Sequence, residues 1–550
     1  MLGHLSGVTA RVVAKNFLPS ILLVVFLSGC IVEDGFDDSR LPQVRLADRT
    51  PVTYDTLFNE EATIPPQCYT KTEGVHNPCY VCHQAYEASD EYRMNKLNDG
   101  GIQGGYMFSE IGVNNYWSNL FVDRTDWLSQ VSDEVIKEYI EQDNYSALAP
   151  RLLDVNWQGY VPDLTDLHLS AAAFDSRGLA KDASGWVAFN YKPLPSTFWP
   201  TNGSTDDVMI RLPLAFRTLN GSVNNDVYLL NLALTELTIK RLNKVDVHPF
   251  DEAAAEIDIN GDGKLEAQVS TLVARTHYIG DAKNIEVPLQ QFPLNTEFLH
   301  SVRYVGVDGE EGIKVPARMK ELRYMRKQKV LSNDEVEARY NRERKEKLLE
   351  ELPYFTKLGD EGFDNGMGWV IQGFIEDYSG DLRPQTHEEM FFCMGCHSAI
   401  GATIDQTFSF ARKVTGPEGW GYVNLKGMKD APSVSQDQGE ILQYLTLSHG
   451  GNEFRENDEM LSRWFNEDGS VNTDAVKAAD VYTLVAPSQE RALKLNKAYT
   501  HIVRHQSYVR GRDATWSPAL NVLKTVDESE PPLSSENRLF GWDMRLDWSR

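Results

Sequence analysis

The spacing of apolar and polar residues divides the chain into strand-like and helix-like segments. From residue 154 to about residue 310, short runs rich in β-branched and aromatic side chains alternate with turn residues, which predicts strands of a mostly antiparallel sheet. The clearest of these runs are 185–191, 208–212 and 227–232. Upstream of them, apolar residues recur at helical spacing over residues 135–140, which predicts a helix with one buried face.

A highly charged segment, residues 311–354, follows the strand-like region and predicts a helical connector. Ser332 and Glu335 have the spacing of a capping box, and Leu331 and Val336 have that of a hydrophobic staple. The mixed charges further along this segment are typical of a solvated helix face rather than of a binding site.

The N-terminus has the pattern of an export signal. Arg11 and Lys15 precede a short apolar run, residues 17–27, that is too brief to remain in a membrane as a spanning helix. A Leu-Ser-Gly sequence then leads into Cys30, which predicts cleavage before this cysteine and its lipidation. An ordinary secretory signal that contains a cysteine is the alternative. Because Ile31 rather than aspartate follows, the outer membrane is the predicted location, at its periplasmic face or at the cell surface.

Composition restricts the partners and the number of cores. The 550 residues carry a formal net charge of −26 and a pI near 4.9, which disfavours nucleic acid and anionic lipid headgroups as partners. An acidic surface suits solubility or docking to a basic partner. The chain is too long for one hydrophobic core, so two or three domains are expected.

Two Cys-x-x-Cys-His motifs, Cys79–His83 and Cys393–His397, are the most specific signals in the chain. Two thiols at this spacing can add to the vinyl groups of one haem, and the adjacent histidine then reaches the iron as its fifth ligand. With 6 cysteines and 12 histidines in 550 residues, chance does not account for two such motifs. A thioredoxin-like pair needs no histidine, and disulfides need none either. A zinc ribbon built on the four thiols would leave both histidines without a role.

In these motifs and in its export signal, a small part of its length, the chain resembles the bacterial dihaem c-type cytochromes. The resemblance implies two covalent haem c groups, the first on Cys79 and Cys82 with His83, the second on Cys393 and Cys396 with His397. The remainder matches no characterised enzyme family. One of the 6 cysteines is then lipidated and four hold haem, so only Cys68 is left and a disulfide framework is excluded.

The ligand opposite each motif histidine decides what such a haem can do. A second histidine or a methionine closes the iron for electron transfer, whereas an open position lets small molecules react. Five histidines are candidates for this sixth position: His76, His387, His449, His501 and His505. Each also has an ordinary interpretation, as a loop residue, as a cation at a helix end or, for the i,i+4 pair, as packed neighbours or a separate metal site.

Four other histidines are predicted to be structural: His168, His248, His277 and His300. Four methionines are candidate thioether ligands or core residues: Met94, Met107, Met367 and Met390.

A run of oxygen-bearing residues predicts a calcium loop in the strand-like region. Its positions are Asp258, Asn260, Asp262, Lys264 and Glu266, with Gly263 allowing a sharp turn. The run resembles the first half of an EF-hand, but Val269 stands where the bidentate glutamate would be, and Ile257 and Val269 suit flanking strands. The predicted role is to brace the β-rich domain, and the alternative is a polar hairpin turn.

The patterns together predict an α+β multidomain protein in which two largely helical or irregular haem c regions flank a β-rich antiparallel domain. The predicted segments are a signal peptide (1–29), an acidic tether (30–66), the first haem region (67–153), the β-rich domain (154–310), the charged helical connector (311–354) and the second haem region (355–550). The predicted function is electron transfer in the bacterial envelope by an exported, lipid-anchored dihaem cytochrome, with a redox protein or a small-molecule donor or acceptor as partner. The alternative is a dihaem oxidoreductase of peroxidase-like or oxygenase-like type with one open-coordinated haem. The sequence identifies no catalytic residue.

Overall fold

A large antiparallel sheet lies at the centre of the computed structural model, which describes residues 36–54, 59, 61–86, 99–106, 108–196, 199–309, 312–349, 351, 353–449 and 457–550. The strands of this sheet follow the order β1-β2-β7-β10-β13-β12-β11, and β14 pairs with β13. They are β1 (Val187–Ala188), β2 (Thr205–Arg211), β7 (Glu297–Arg303), β10 (Met319–Lys327), β11 (Thr356–Lys357), β12 (Phe363–Asp364), β13 (Trp369–Glu376) and β14 (Leu382–Pro384). Three two-stranded ribbons lie outside it: β3 (Thr218–Leu219) with β4 (Ser222–Val223), β5 (Lys244–Phe250) with β6 (Val269–Val273), and β8 (Gly306–Asp308) with β9 (Gly312–Lys314).

Helices cover and connect this sheet. In chain order they are α1 (Thr125–Gln130), α2 (Asp133–Ile140), α3 (Leu148–Asp154), α4 (Asn225–Lys240), α5 (Glu252–Ala255), α6 (Asn333–Leu348), α7 (His387–Phe391), α8 (Glu440–Ser448), α9 (Asp458–Trp464), α10 (Thr473–Ala478), α11 (Val481–Val485) and α12 (Gln489–His505). The fold is therefore mixed, with a large antiparallel sheet and several helices, as the apolar pattern predicts. Within the described residues, no helix is long and apolar enough to cross a membrane.

Both faces of the sheet are covered, because alternate residues of each strand point to opposite sides. On one face, Leu299 of β7, Leu322 of β10 and Phe374 of β13 belong to a core shared with residues 145–174. On the other face, Phe298, Met325 and Ile371 belong to a larger core that also holds residues of both Cys-x-x-Cys-His segments. The sheet thus brings two segments that are far apart in sequence against one surface.

The run 227–232, predicted as a strand, lies instead inside helix α4. Asn224 begins this helix by accepting hydrogen bonds from the backbone N–H groups of Asp226 (3.1 Å) and Val227 (2.9 Å). All residues from Val227 to Lys240 are buried. A helix that is buried on every side has no exposed polar face to mark a helical period, so a short apolar run does not distinguish it from a buried strand.

The predicted start of the charged helix is confirmed. Glu335 accepts from the backbone N–H of Ser332 at 3.0 Å, and the Ser332 hydroxyl accepts from the backbone N–H of Glu335 at 3.3 Å, as in a capping box. Leu331 and Val336 pack in one small core cluster, as the staple predicts.

The predicted segments do not correspond to separate compact units, because Asp38–Arg550 form one such unit. Strand β10 lies in the predicted helical connector yet pairs with β7 of the β-rich segment, and the second haem region supplies four strands, β11 to β14. The predicted tether is packed from Asp38 onward: Leu41 and Val44 are buried, and Asp38 pairs with Arg504 at 2.6 Å. The predicted segments differ from the observed unit because patterns along a chain do not reveal which distant strands will pair. The predicted signal peptide and Cys30 lie outside the described residues.

Candidate functional site

The two Cys-x-x-Cys-His motifs adopt the same local structure. The carbonyl oxygen of Cys79 accepts from the backbone N–H groups of Cys82 (3.1 Å) and His83 (2.8 Å). In the second motif the carbonyl of Cys393 accepts from Cys396 (3.1 Å) and His397 (2.9 Å). Each motif therefore forms one tight helical turn, in which both thiols and the histidine are positioned by the same backbone geometry.

Different neighbours fix the two turns. The Asn77 side chain caps the first by accepting from the backbone N–H of Tyr80 at 3.2 Å. The second turn continues from helix α7, whose start is a capping box between Thr386 and Glu389. The sequence signals for both caps are ordinary helix-start residues placed just before the motifs.

The two motifs lie side by side in the fold, although about 310 residues separate them in the sequence. The backbone N–H of Ala402, just beyond the second motif, donates to the carbonyl of Cys82 at 3.1 Å. Gly401 packs so closely that an added Cβ would lie 3.1 Å from the same carbonyl and would clash with the Asp99 carboxylate. The thiols of Cys82 and Cys396 are near enough to influence each other electrostatically. One site, rather than two remote ones, therefore contains all four motif cysteines.

His83 is oriented by a buried carboxylate. Its Nδ1 lies 2.9 Å from Oδ2 of Asp99, whose side chain is 1% exposed. Gln103 donates to the carbonyl of His83 at 2.6 Å and accepts from Asn77 at 2.7 Å, which fixes the backbone as well. Because the carboxylate accepts from Nδ1, the hydrogen of the ring resides there and Nε2 presents its lone pair.

His397 is oriented in the same way by a neutral acceptor. Its Nδ1 lies 2.8 Å from the carbonyl oxygen of Gln406, and Asn365 donates to the carbonyl of His397 at 2.7 Å. Burial lowers the pKa of His397 to about 4, so the ring is neutral near pH 7. Both motif histidines thus have the tautomer in which Nε2 can coordinate a metal.

An open cleft of about 220 Å³ lies beside the first motif. Cys68, Cys79, Cys82 and His83 line it. Its apolar side chains include Ile64, Pro65, Tyr106, Phe108, Met394 and Ile400. Met394 and Ile400 come from the second motif region, so both motifs contribute to the wall. Among the described residues that line the cleft, His83 is the one histidine.

The described motif cysteines are thiols rather than disulfides. No disulfide joins the described cysteines. Burial raises the pKa of the Cys82 thiol, and it raises that of Cys396 to about 11, so both are protonated near pH 7. Within the part of the chain that the structure describes, no three His, Cys, Asp or Glu side chains converge as a metal-binding group.

Two candidate sixth ligands, His76 and His449, pack against each other beside the first motif. Their rings are stacked, with centroids 4.6 Å apart and planes at 20°. The backbone N–H of Asn77 donates to the carbonyl of Leu447 at 2.8 Å, which holds the end of α8 against the first motif. Neither histidine lines the cleft.

The other candidates are held in aromatic contacts. His387, the first residue of α7, lies 4.6 Å from Phe363 and 5.9 Å from Phe391 between ring centroids. His501 and His505 stack at 4.1 Å and pack on Trp127 of α1. Burial lowers the pKa of His501 to about 3. Parallel stacking directs the ring nitrogens alongside each other rather than toward one ion, which favours the interpretation as a packed pair.

The candidate methionines have no common location. Met390 is buried in the large core and Met367 in the small cluster with Leu331. Met94 and Met107 lie outside the described residues.

Several residues of the site have no recognisable signal in the sequence. Asp99 and Gln406 orient the motif histidines, and Arg323 of β10 interacts electrostatically with Cys393 and Cys396. His300, predicted to be structural, is paired in register with Arg323 on the neighbouring strand. Sequence spacing does not identify such partners, because strand pairing and loop packing bring them to the motifs.

The predicted calcium loop folds on its own hydrogen bonds. The Asp258 carboxylate accepts from the backbone N–H groups of Gly261 (2.7 Å) and Gly263 (2.9 Å), and Asp262 accepts from Lys264 at 2.8 Å. The Asn260 side chain accepts from the backbone N–H of Asp262 at 2.9 Å. The nearby Glu252 accepts from Glu266 at 3.1 Å. Val269 begins β6 as predicted, whereas Ile257 lies in a loop after α5. Calcium binding stays a prediction.

Comparison with known proteins places the chain among lipoproteins. A family model described as "-like lipoprotein" matches residues 51–482, which is more than half of the chain. An "Uncharacterized lipoprotein" of Aquifex aeolicus (strain VF5) is 32% identical over 517 residues, and the match covers 83% of this chain and 86% of the relative. No solved structure matches the chain. The chain belongs to this family of lipoproteins.

Proposed function

We propose that this lipoprotein is a dihaem c-type cytochrome that transfers electrons in the bacterial envelope. In this proposal Cys79 and Cys82 attach one haem and Cys393 and Cys396 attach the other. His83 and His397 would bind the two irons. The haem iron supplies the one-electron chemistry, and the protein sets the potential and the access of solvent.

The observation that carries the proposal is the matched arrangement of the two motif histidines. Each is held by a hydrogen bond at Nδ1, to the Asp99 carboxylate or to the Gln406 carbonyl, and each presents Nε2. Ring orientation by such an acceptor is what a metal-ligating histidine requires. The adjacent thiols are protonated and lie in no disulfide, so they suit addition to vinyl groups.

The contact between the motifs supports electron exchange within one molecule. The hydrogen bond from Ala402 to Cys82 joins the two attachment segments directly. Haems held at these two adjoining segments would lie in the same part of the fold, so that the chain would accept an electron at one haem and deliver it from the other. The acidic surface, with a net charge of −26, favours a basic protein as donor or acceptor.

Haem content tests this proposal. The protein is produced in a host that matures c-type cytochromes, and covalent haem is counted in the denatured protein by the pyridine haemochrome spectrum. We expect two haems per chain in the natural protein and one in each of the paired variants C79A/C82A and C393A/C396A. C68A is the matched control and should retain two. A natural protein with no covalent haem would refute the proposal.

One observation favours a second candidate function, an oxidoreductase with a labile position at the first haem. Among the described residues, the lining of the cleft beside Cys79 and Cys82 has His83 as its one histidine. His76 and His449 are stacked on each other instead. A carbon monoxide difference spectrum of the reduced protein separates the two functions. Binding to one haem supports the oxidoreductase, and no binding supports the closed electron carrier.

We also propose that lipid on Cys30 anchors the protein to the outer membrane. Membership of a lipoprotein family supports the anchor, and Ile31 after the cysteine supports the outer membrane. Substitution of Cys30 by serine should move the protein from the membrane fraction to the soluble periplasmic fraction. Retention of the variant in the membrane fraction would contradict the lipid anchor.

A further inference from the structure

A two-residue turn, Asp405 and Gln406, supplies the hydrogen-bond acceptor for His397. We call it the acceptor turn, because the carbonyl oxygen of Gln406 accepts from Nδ1 of His397 at 2.8 Å. The flanking residues, Ile404 and Thr407, face each other across the turn, and each donates its backbone N–H to the carbonyl of the other at 3.1 Å. The acceptor is thus a backbone group, and its direction follows from the conformation of the turn alone.

The acceptor turn is strained. The backbone angle φ is +49° at Asp405 and +56° at Gln406, so both buried residues have the left-handed conformation. The commonest two-residue turn between antiparallel strands requires positive φ at both positions, and Asn-Gly is its usual sequence for this reason. Aspartate tolerates positive φ better than most residues, whereas glutamine does not. The turn therefore keeps its shape only where the surrounding structure compensates for the cost.

A buried ion pair fastens the acceptor turn to the central sheet. Nζ of Lys327, the last residue of β10, donates to Oδ1 of Asp405, and both side chains are 0% exposed. Oδ2 of Asp405 accepts from the backbone N–H of Phe292 at 2.9 Å. Nζ of Lys327 also lies 5.0 Å from the ring centroid of Trp369, the residue that pairs with Lys327 in register on β13. Both oxygens of the Asp405 carboxylate are therefore fixed, one of them by the sheet.

The location of this ion pair suits the control of geometry better than a gain in stability. Two buried charges lose their hydration, and neutral residues in their place are often equally stable. This pair, however, holds the residue that precedes the acceptor carbonyl. Just after the turn, Phe408 meets the ring of His397 edge-on, with centroids 5.4 Å apart and planes at 89°. The turn and its neighbour thus contact both Nδ1 and the ring of the motif histidine.

We propose that Lys327 and Asp405 are positioning residues for His397, because they hold the strained acceptor turn in the shape that aims the Gln406 carbonyl at Nδ1. The inference rests on the proposed function, in which His397 would bind the iron of the second haem. Both residues act through the acceptor turn and not on the iron. A hydrogen bond at Nδ1 makes an imidazole a stronger donor to a metal, so loss of the acceptor would favour ferrous iron.

Redox titration of a charge-neutral double variant tests this role. K327M/D405N removes the ion pair and leaves the formal net charge unchanged, so a shift in potential reports geometry rather than charge. We expect the midpoint potential of the second haem to rise by about 40 mV, which corresponds to a ~5-fold change in the one-electron equilibrium at 59 mV for each factor of ten. The transition of the second haem is the one that disappears in C393A/C396A.

A change in the turn sequence should rescue the double variant. In K327M/D405N/Q406G the turn reads Asn-Gly, which adopts positive φ at both positions with little strain. The carbonyl of residue 406 then keeps its direction without the ion pair, so we expect the potential to return to the natural value. A general loss of stability would not be reversed in this specific way. A potential that does not rise in the double variant with both haems present, or that stays raised in the triple variant, would overturn the inference.

The matched control is R318M/E376Q. Arg318 and Glu376 form another buried ion pair, with side chains 7% and 0% exposed and a distance of 2.8 Å from Nη1 to Oε1. It lies at the opposite end of the same two strands, because Arg318 precedes β10 and Glu376 ends β13. We expect neither potential to change in this variant. Equal rises in the two double variants would overturn the assignment to Lys327 and Asp405.

The tautomer of His397 separates failure of this inference from failure of the proposed function. If the natural protein holds no covalent haem, the proposed function is refuted, and the positioning role is then tested on the haem-free ring. In ¹⁵N NMR spectra of histidine-labelled protein, the signal that is missing in H397A identifies His397. We expect its hydrogen on Nδ1 in the natural protein and a shift toward Nε2 in K327M/D405N. An unchanged tautomer in this haem-free case would overturn the inference.

Discussion

The backbone N–H of Ala402 donates a hydrogen bond of 3.1 Å to the carbonyl oxygen of Cys82. Ala402 follows the second Cys-x-x-Cys-His motif, and Cys82 belongs to the first. The bond therefore joins the two motif segments directly. It brings the four motif cysteines together in one part of the compact unit that extends from Asp38 to Arg550.

Gly401 should be sensitive to any added side chain. A Cβ at this position would clash with the Asp99 carboxylate and lie 3.0 Å from the backbone nitrogen of Gln84. We expect G401A to lower the free energy of unfolding by about 1–3 kcal/mol, as overpacking usually does. Chemical denaturation measures the change. G101A is the control, since nothing lies within 4 Å of its added Cβ. Equal stability of the two variants would show that the motifs are not tightly packed there.

Asp99 should lower the potential of the first haem. Its buried carboxylate accepts from Nδ1 of His83 at 2.9 Å. With the proposed haem bound, this contact would give the ring partial anionic character and would stabilise ferric iron. In D99N this effect is lost, and we expect the potential to rise by about 40 mV, the one-electron equivalent of ~1 kcal/mol for one hydrogen bond. Potentiometric titration measures it. A fall in the potential of the first haem would contradict this role.

The different hydrogen-bond acceptors of His83 and His397 predict which of the two haems has the higher reduction potential. The acceptor for His397 is the neutral carbonyl of Gln406, and Arg323 lies near that motif. If the second motif holds haem as proposed, both features would favour ferrous iron there, relative to the haem whose histidine is bonded to a carboxylate. The second haem should therefore have the higher potential, and D99N should narrow the gap. A reversed order, assigned with the two paired cysteine variants, would count against this explanation.

The buried pair of Arg412 and Glu440 should be important for stability. Nη1 of Arg412 donates to Glu440 at 2.7 Å, and the two side chains are 1% and 0% exposed. Removal of the arginine in R412M leaves a buried carboxylate with one cation fewer, so we expect a loss of about 3–5 kcal/mol in the free energy of unfolding. R342A is the control. It breaks an exposed i,i+4 pair with Glu346, for which ~0.3–0.5 kcal/mol is expected. Equal losses would show that burial does not set the cost.

Glu321 should make stability depend on acid pH. Its pKa is about 2 in the folded protein, below the ordinary value of 4.5, because Arg323 and Arg512 outweigh the effect of burial. The carboxylate therefore contributes stability that is fully present above about pH 4.5 and is lost as the pH falls toward 2. Unfolding measured from pH 6 downward should show a weaker decline in E321Q than in the natural protein. Parallel declines would contradict the low pKa.

Local signals in the sequence predicted local features correctly. The capping box of Ser332 and Glu335 forms as its spacing indicates, because such a motif depends on residues within one helical turn. The run 208–212 lies mostly in strand β2, because its aliphatic side chains suit a strand that is packed on both faces, and residues 208–210 are all buried. The run 227–232 failed as a strand because a wholly buried helix has no polar face to mark its period.

The residues of the two motifs could be predicted from the sequence, whereas the residues that surround them could not. Two Cys-x-x-Cys-His motifs are sufficient to predict where haem would attach, because attachment needs only residues within five positions of each other. No such spacing identifies the residues that surround the motifs, which are Asp99, Gln406, Arg323 and Arg512. They reach the motifs only when strand β10 pairs in the sheet and the loops pack on its face.

By itself, the sequence determined the identity of the candidate haem-attaching residues, the export signal and the antiparallel character of the β-rich segment. The tertiary structure alone decided that the two motifs touch, that residues 311–354 supply a central strand, and that two arginines share one buried glutamate. The physical reason is the separation along the sequence of the residues that each interaction joins. Hydrogen bonds within a turn follow from neighbouring residues, whereas strand pairing and burial depend on the free energy of the whole core, to which residues hundreds of positions apart contribute together.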